Sequence, residues 1–319
     1  MNARQAVQRL GRHPGVRTLL TAGVLAGLCA AAACSSAPPA PPAPPAASLH
    51  AKGPAAAGMA RAAASVPVPA GPPRVTVSRV RTADGSVLTV AVFGGSVRYA
   101  LHNGSLDPGP AYAALVRAGP AVTAAERPRL LAAFNGGFLM RSRAGGYEQE
   151  GHVFRALRHG LATLVIDRSG LARIGVWGLG VPLPGEAVYS ARQNLWPLVI
   201  NGRPTAQARR WWRWGGTIGH AEYVARSALG QTASGELLYV ASMSASPQDL
   251  AIALARSGAR IGMELDINPE WVQLATARAP GGSLTAAIPG QVRPATQYLT
   301  GWTRDFITVL APPLPGRRA

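Results

Sequence analysis

At 319 residues the chain can form one large domain or two small ones, and its 48% hydrophobic content allows a sizeable core. The formal charge of +18 rests almost wholly on arginine, since Lys52 is the sole lysine; with abundant Ala, Gly and Pro, this is the bias of a GC-rich coding sequence. Such a charge favours anionic partners such as phosphorylated glycans and lipid headgroups, but no fold signature of a nucleic-acid reader accompanies it, so no nucleic acid is expected as partner.

Arg4, Arg9, Arg12 and Arg17 precede an apolar run from Leu19 to Ala33, the charged and apolar regions of a secretory signal. That run is too short for a comfortable membrane span. Ala31-Ala32-Ala33-Cys34-Ser35-Ser36 is similar to a bacterial lipobox, in which Cys34 becomes the lipidated first residue of the mature protein. Ala31 stands where Leu is usual, so cleavage without lipidation is the alternative. Cys29 and Cys34 are the only cysteines, which leaves the rest of the chain without a disulfide. Residues 35–73 are dominated by Ala and Pro and cannot bury enough surface to fold. In polyproline II form they would reach about 120 Å, enough to lift a domain off a membrane. The expected organisation is a signal and lipobox over 1–34, a tether over 35–73, a domain over 74–311 and a loose tail over 312–319.

From Val75 the texture changes. Val75 to Val80 alternates, Asp84-Gly85 is a turn and Val87 to Phe93 is apolar, which predicts a hairpin; Val97 to Leu101 extends it. Tyr112 to Arg117 reads as a short helix and Leu130 to Phe134 as a buried strand. Leu161 to Ile166 and Leu171 to Trp177 flank the turn Asp167-Arg168-Ser169-Gly170, and Leu195 to Ile200 runs into Asn201-Gly202. Arg226 to Gly230 and Glu236 to Met243 form a further hairpin around Ser234-Gly235. Ser246-Pro247-Gln248-Asp249 then opens a helix with a Ser cap, a proline in its first turn and an acid at the third position, and Gly258 ends it. Phe306 to Leu310 closes the set, and the pattern is α+β: a strand-rich single domain of mixed twisted sheet with a few flanking helices.

The helix feeds Ile261-Gly262-Met263-Glu264-Leu265-Asp266-Ile267-Asn268-Pro269-Glu270-Trp271. As a strand this puts Glu264 and Asp266 on one face, about 7 Å apart, and Pro269 ends the ladder. Acids at the end of an apolar strand make a catalytic or ligand-binding edge; the alternative is that Asp266 and Asn268 only cap a turn. Asn135-Gly136-Gly137-Phe138 follows a strand, and its glycines let backbone approach a ligand, although a plain turn would look the same. Arg226-Ser227-Ala228-Leu229-Gly230 opens a strand with a residue suited to bidentate phosphate contact. Arg209-Arg210-Trp211-Trp212-Arg213-Trp214 suits an anionic sugar or membrane surface, or is a Trp cluster packed over a sheet with Arg outside. His152, His159 and His220 lack zinc-site spacing, no calcium loop, nucleophile elbow or P-loop is present, and no metal or cofactor is implied.

Taken in order, Asn135 to Phe138, Arg226 to Gly230 and Leu265-Asp266 resemble the phosphodiester glycosidase family, whose pattern has Asn-Gly-Gly-Phe, Arg-Ser/Thr-Ala-Ile/Leu-Gly and a strand ending in Leu-Asp-Gly-Gly-Gly-Ser. The resemblance covers most of the chain after about residue 74. It departs where Ile267, Asn268, Pro269 and Glu270 replace the glycines and serine, because Pro269 has no N–H to aim at a phosphate.

With the N-terminal signal and lipobox, the resemblance implies an exported, lipid-anchored hydrolase of sugar-1-phosphodiesters in cell-envelope or extracellular glycans. It gives Asp266 an acid/base or cation-stabilising role and makes Glu264 the second acid. Arg226 with Ser227 would hold phosphate, and Asn135, Gly136 and Gly137 would orient sugar or phosphate. Asn268, Glu270 and Trp212 are further candidate substrate contacts, as are Glu148, Glu150 and His152 from a Gly-rich loop. The alternative is a non-catalytic envelope protein that binds phosphorylated or anionic polysaccharide.

Overall fold

The computed structural model describes residues 67–83, 85–215 and 220–313, so the signal region, Cys34, most of the tether, Asp84 and the last six residues lie outside it. Within the described residues the strands are β1 (Arg74–Arg81), β2 (Val87–Gly94), β3 (Arg98–His102), β4 (Leu130–Asn135), β5 (Tyr147–Gln149), β6 (His152–Arg155), β7 (Ala162–Ile166) and β8 (Ala172–Val176). They continue as β9 (Ser190–Gln193), β10 (Pro197–Ile200), β11 (Arg203–Pro204), β12 (Val224–Thr232), β13 (Leu237–Ala245), β14 (Ala259–Glu264), β15 (Leu274–Thr276), β16 (Thr285–Ala286) and β17 (Phe306–Leu310). The α-helices are α1 (Pro110–Ala113) and α2 (Pro247–Arg256).

Three sheets result: a seven-stranded one ordered β1-β2-β13-β12-β14-β10-β11, and five-stranded ones ordered β16-β15-β4-β17-β3 and β6-β5-β9-β7-β8. Ladders between these strands are antiparallel, and isolated parallel bridges such as Asp107↔Arg304 tie the loops. Alternation sorts the side chains. On β2 and β13, Ala91, Phe93, Leu237, Tyr239 and Ala241 enter the main core shared with β4, β7 and β17. Leu88, Val90, Leu238 and Val240 take the opposite face, under Leu250 and Leu254 of α2. The capping box of α2 forms as its sequence predicts: Ser246 Oγ accepts from Asp249 N at 3.1 Å, and Asp249 Oδ2 accepts from Ser246 N at 2.9 Å.

The helix sits close because β12 and β14 lack side chains beneath it. Gly230 and Gly262 are cross-strand partners, and a Cβ on either would lie 2.8 or 2.7 Å from a Leu254 methyl. Gly262→Val is therefore expected to push α2 off the sheet and destabilise the domain by about 1–3 kcal/mol. A lower urea midpoint with an unchanged slope would register it.

Four expectations are corrected. Val97 to Leu101 does not extend the first hairpin, because β3 pairs with β17 in a different sheet from β1 and β2. The helix over Tyr112 to Arg117 is a four-residue turn starting at Pro110, whose fixed φ suits a helical start. Glu148, Glu150 and His152 do not lie on a loose Gly-rich loop but on and around the β5–β6 hairpin, turned by Glu150 and Gly151 at positive φ. The strand carrying the acid pair stops at Glu264, two residues before Asp266.

Candidate functional site

The three segments picked out above meet on one hydroxyl. Ser227 Oγ on β12 accepts from Asn135 Nδ2 at 2.9 Å and from Asp266 N at 3.1 Å. Asn135 ends β4, and its Oδ1 accepts from Tyr239 Oη at 2.7 Å and from Gln273 N at 3.2 Å. Leu265 N donates to Ser227 O at 2.8 Å, while Ser227 N donates to Asp266 O at 2.9 Å. Two residues thus oppose one, the count of a β-bulge, and bulges re-aim side chains. This is why Glu264 and Asp266 do not stay side by side on one face.

Glu264 keeps the alternation of β14 and points to the side of the sheet holding Trp214. There its Oε1 pairs with Arg226 Nη1 at 2.8 Å. Arg226 is fully buried, and its guanidinium also donates to the carbonyls of Ala245 at 3.0 Å, Trp214 at 3.2 Å and Glu222 at 3.4 Å. A bidentate phosphate contact has little room on a guanidinium engaged in this way. Glu264 Oε2 has no hydrogen-bond partner among the described residues. Burial pushes its carboxyl up to about 7, outweighing the pull of Arg226, and the nearby Asp266 charge adds to the rise.

Between about pH 4.5 and about 7 the folded protein therefore binds a proton on Glu264 that the unfolded chain releases. The associated stability is complete below about pH 4.5 and is lost as pH rises through about 7. Unfolding free energy is expected to fall across that window in the wild type and to fall less in Glu264→Gln, read by urea titrations at several pH values.

Asp266 turns the other way. Its Oδ2 pairs with Arg304 Nη1 at 2.6 Å, and its Oδ1 accepts from Ile267 N at 2.7 Å and Asn268 N at 3.2 Å. Asn268 Oδ1 accepts from Glu270 N at 3.0 Å, so the segment after the strand is a double Asx turn in which Pro269 needs no donor. Burial raises the Asp266 carboxyl to about 6, against the opposing effect of Arg304 and the two N–H groups. That value suits acid/base work near neutrality.

Beside it, Asp305 Oδ2 pairs with Arg192 Nε at 2.7 Å and accepts from Gly137 N at 3.3 Å, while Asp305 O accepts from Gly136 N at 2.8 Å. A Cβ on Gly136 would stand 2.1 Å from Asp305 Oδ2, and one on Gly137 3.0 Å from Arg192 Cζ. The space beside both glycines is filled by this internal ion pair, so the Gly-Gly signal has a packing reason.

The remaining candidates scatter. Glu148 is half-buried on β5, with its carboxyl raised by burial, and His152 is exposed on β6 beside Phe154. Glu150 ties down backbone, accepting from Arg117 N and Ala118 N at 2.8 Å each. It lines a cleft of about 270 Å³ with Arg98, Arg129, Arg168 and Tyr189, none of them part of the Ser227 cluster. Glu270 pairs with Arg293 at 2.5 Å. The Arg/Trp run divides: Trp212 is 62% exposed, while Trp214 is fully buried and donates from Nε1 to Gln207 O at 2.8 Å.

Arg192, Arg304, Asp305, Asn194 and Tyr239 were not singled out from sequence. All are buried, and they reach the cluster from three stretches of chain, 192–194, 239 and 304–305; Asn194 Nδ2, for example, donates to Glu264 O at 2.9 Å and Leu265 O at 2.7 Å. The only sequence signal was Arg304-Asp305 directly before the closing strand. Among the described residues, no group of three or more His, Cys, Asp or Glu is placed to hold a metal ion, and no helix is long and apolar enough to cross a membrane.

No protein-family model and no curated protein matches the chain. Among solved structures it is similar to the catalytic domain of zebrafish N-acetylglucosamine-1-phosphodiester alpha-N-acetylglucosaminidase, auto-inhibited by pro-peptide. The identity is 13% and the TM-score 0.44, over 75% of this chain and 82% of that one. A hypothetical protein from Synechocystis matches at 13% identity and TM-score 0.41, over 75% of this chain and 62% of that one. A putative exported protein from Burkholderia pseudomallei K96243 matches at 14% identity and TM-score 0.25, over 76% and 58%.

Proposed function

We propose that the domain over residues 74–311 is a glycosidase-like hydrolase of sugar-1-phosphodiesters, exported and held at the membrane through Cys34 and the residue 35–73 tether. The observation that carries this reading is the meeting of Asn135, Ser227 and Asp266 at Ser227 Oγ, within 2.9–3.1 Å, although they come from widely separated parts of the chain. In the proposed reaction the C1–O bond breaks with its electron pair leaving on the phosphate oxygen. Water adds to C1, and its proton passes to Asp266, whose carboxylate also faces the sugar cation. A phosphodiester is a good leaving group, so little proton donation is needed.

The phosphate contact assigned from sequence to Arg226 passes in this reading to Arg304, which already touches Asp266. Arg226 acts behind the site by holding Glu264. Asn135 and Gly136 set the position of the Asp266 bulge rather than touching substrate.

A second reading, a non-catalytic binder of anionic polysaccharide, is favoured by one observation: both Asp266 oxygens are already engaged by Arg304, Ile267 N and Asn268 N. Hydrolysis of a panel of sugar-1-phosphodiesters by the purified full chain, with Asp266→Asn beside it, separates the two. Turnover lost in the variant supports the hydrolase. Binding of phosphorylated glycan without turnover supports the binder, and neither activity overturns both.

A further inference from the structure

The outer side of the Arg/Trp run is used neither by the Ser227 cluster nor by the ion pairs behind it. The run lies in a stretch from Ala187 to Ala221 that contains no Asp or Glu. Two short 3-10 helices, Ala206–Arg209 and Trp211–Arg213, carry it. Ala208 and Trp214 are fully buried in the core under α2, and the Trp214 bond to Gln207 O pins the run to the domain. Arg210 N, Arg213 N and Trp214 N donate to the carbonyls of Gln207 at 2.9 Å, Arg210 at 2.9 Å and Trp211 at 3.0 Å. Arg209, Arg210 and Trp212 are thereby held outward, exposed to water.

The charge here is left unmatched. Among the described residues Arg209, Arg210 and Arg213 form no ion pair, whereas the buried Arg192, Arg226 and Arg304 each have one. Arg203 and Arg260, also exposed and without an ion pair, stand on β11 and β14 at the adjoining end of the seven-stranded sheet. Trp211 and Trp212 meet edge to face, with ring centres 6.0 Å apart and planes at 86°, so they share no plane on which a sugar ring could stack. The Arg213 guanidinium covers the ring of Trp196 at 5.0 Å. A soluble polyanion would match the arginines and leave the Trp212 indole in water. A bilayer interface matches both, because indoles settle at headgroup level and arginines are drawn to anionic lipids.

We propose that Arg209, Arg210 and Trp212 form a docking surface for an anionic lipid bilayer, with the Trp212 indole among the headgroups and the guanidiniums against lipid phosphates. This is a contact of the folded domain itself, separate from any lipid on Cys34, and it does not rest on the hydrolase reading. Gly215, at the end of the run, packs against the segment after Asp266: a Cβ there would stand 2.6 Å from Ile267 Cδ1. Docking therefore sets which side of the domain faces the membrane and keeps the Asp266 loop near the lipid surface.

The seven tryptophans all lie between Trp177 and Trp302, so quenching of indole emission by brominated phosphatidylcholine reports contact by the domain, whatever the N-terminal segment does. The full-length protein is titrated with vesicles of that lipid alone or mixed equally with phosphatidylglycerol. Quenching is expected on the mixed vesicles, to be far smaller on the neutral ones, and to weaken as salt is added. Trp212→Phe should remove most of it. Arg209→Glu with Arg210→Glu replaces two attractions by two repulsions, and should raise the lipid concentration for half-maximal quenching about 10³-fold. These side chains are exposed, so an unchanged thermal unfolding midpoint in each variant shows that the fold is intact. No quenching, equal quenching on neutral vesicles, or full quenching retained in either variant overturns the docking surface. A Trp212-dependent emission change with dextran sulfate but none with vesicles also overturns it, and would mark the surface as a site for a soluble polyanion.

Discussion

Asp266→Asn is expected to lower kcat/KM for a sugar-1-phosphodiester by about 10²–10⁴-fold, the usual contribution of a positioned acid/base group. The change is close to isosteric, and the amide oxygen can still accept from Ile267 N and Asn268 N, so the Asx turn should survive. What disappears is the carboxylate that takes the proton of water and faces the sugar cation. Arg304, buried against it, loses its charge partner, so thermal unfolding is the necessary control. In the wild type the activity should fall as pH drops through about 6, because protonation removes the same carboxylate. An enzyme indifferent to Asp266→Asn, or one whose activity rises on acidification through that range, would remove Asp266 from the proposed role.

Above about pH 7, where Glu264 is ionised, Arg226→Ala is expected to destabilise the domain by about 3–5 kcal/mol, the penalty for breaking a buried ion pair from one side. Glu264 would be left without its cation in a fully buried position, and the carbonyls of Ala245, Trp214 and Glu222 would lose a donor. Replacing both partners together, Arg226→Leu with Glu264→Leu, should recover much of the loss, because two apolar side chains leave no stranded charge. Urea denaturation of the two single variants and the double variant forms the cycle that measures this. If Arg226→Ala instead keeps its unfolding midpoint and only raises KM, then Arg226 binds substrate, as the sequence pattern alone implies, and its internal pairing is secondary.

The elements visible in advance were those whose own residues carry the signal. The β1–β2 and β12–β13 hairpins, β4, β17 and the capped helix α2 follow alternation, turn residues and the Ser-Pro-x-Asp start. β5 and β9 were missed because several of their buried side chains are polar. Gln149, Arg192 and Gln193 are satisfied by distant partners such as Leu101 O, Asp305 and Thr163 Oγ1, and no local apolar pattern announces that.

The same division runs through the site. Sequence by itself determined which segments carry Asn135, Ser227 and Asp266, since those motifs are local strings of residues. Only the tertiary structure decided which charges meet. A bulge opposite Ser227 turns Asp266 toward Arg304, while Glu264 keeps to its strand and meets Arg226. Ion pairing depends on distance and burial between residues far apart in the chain, and a linear pattern encodes neither.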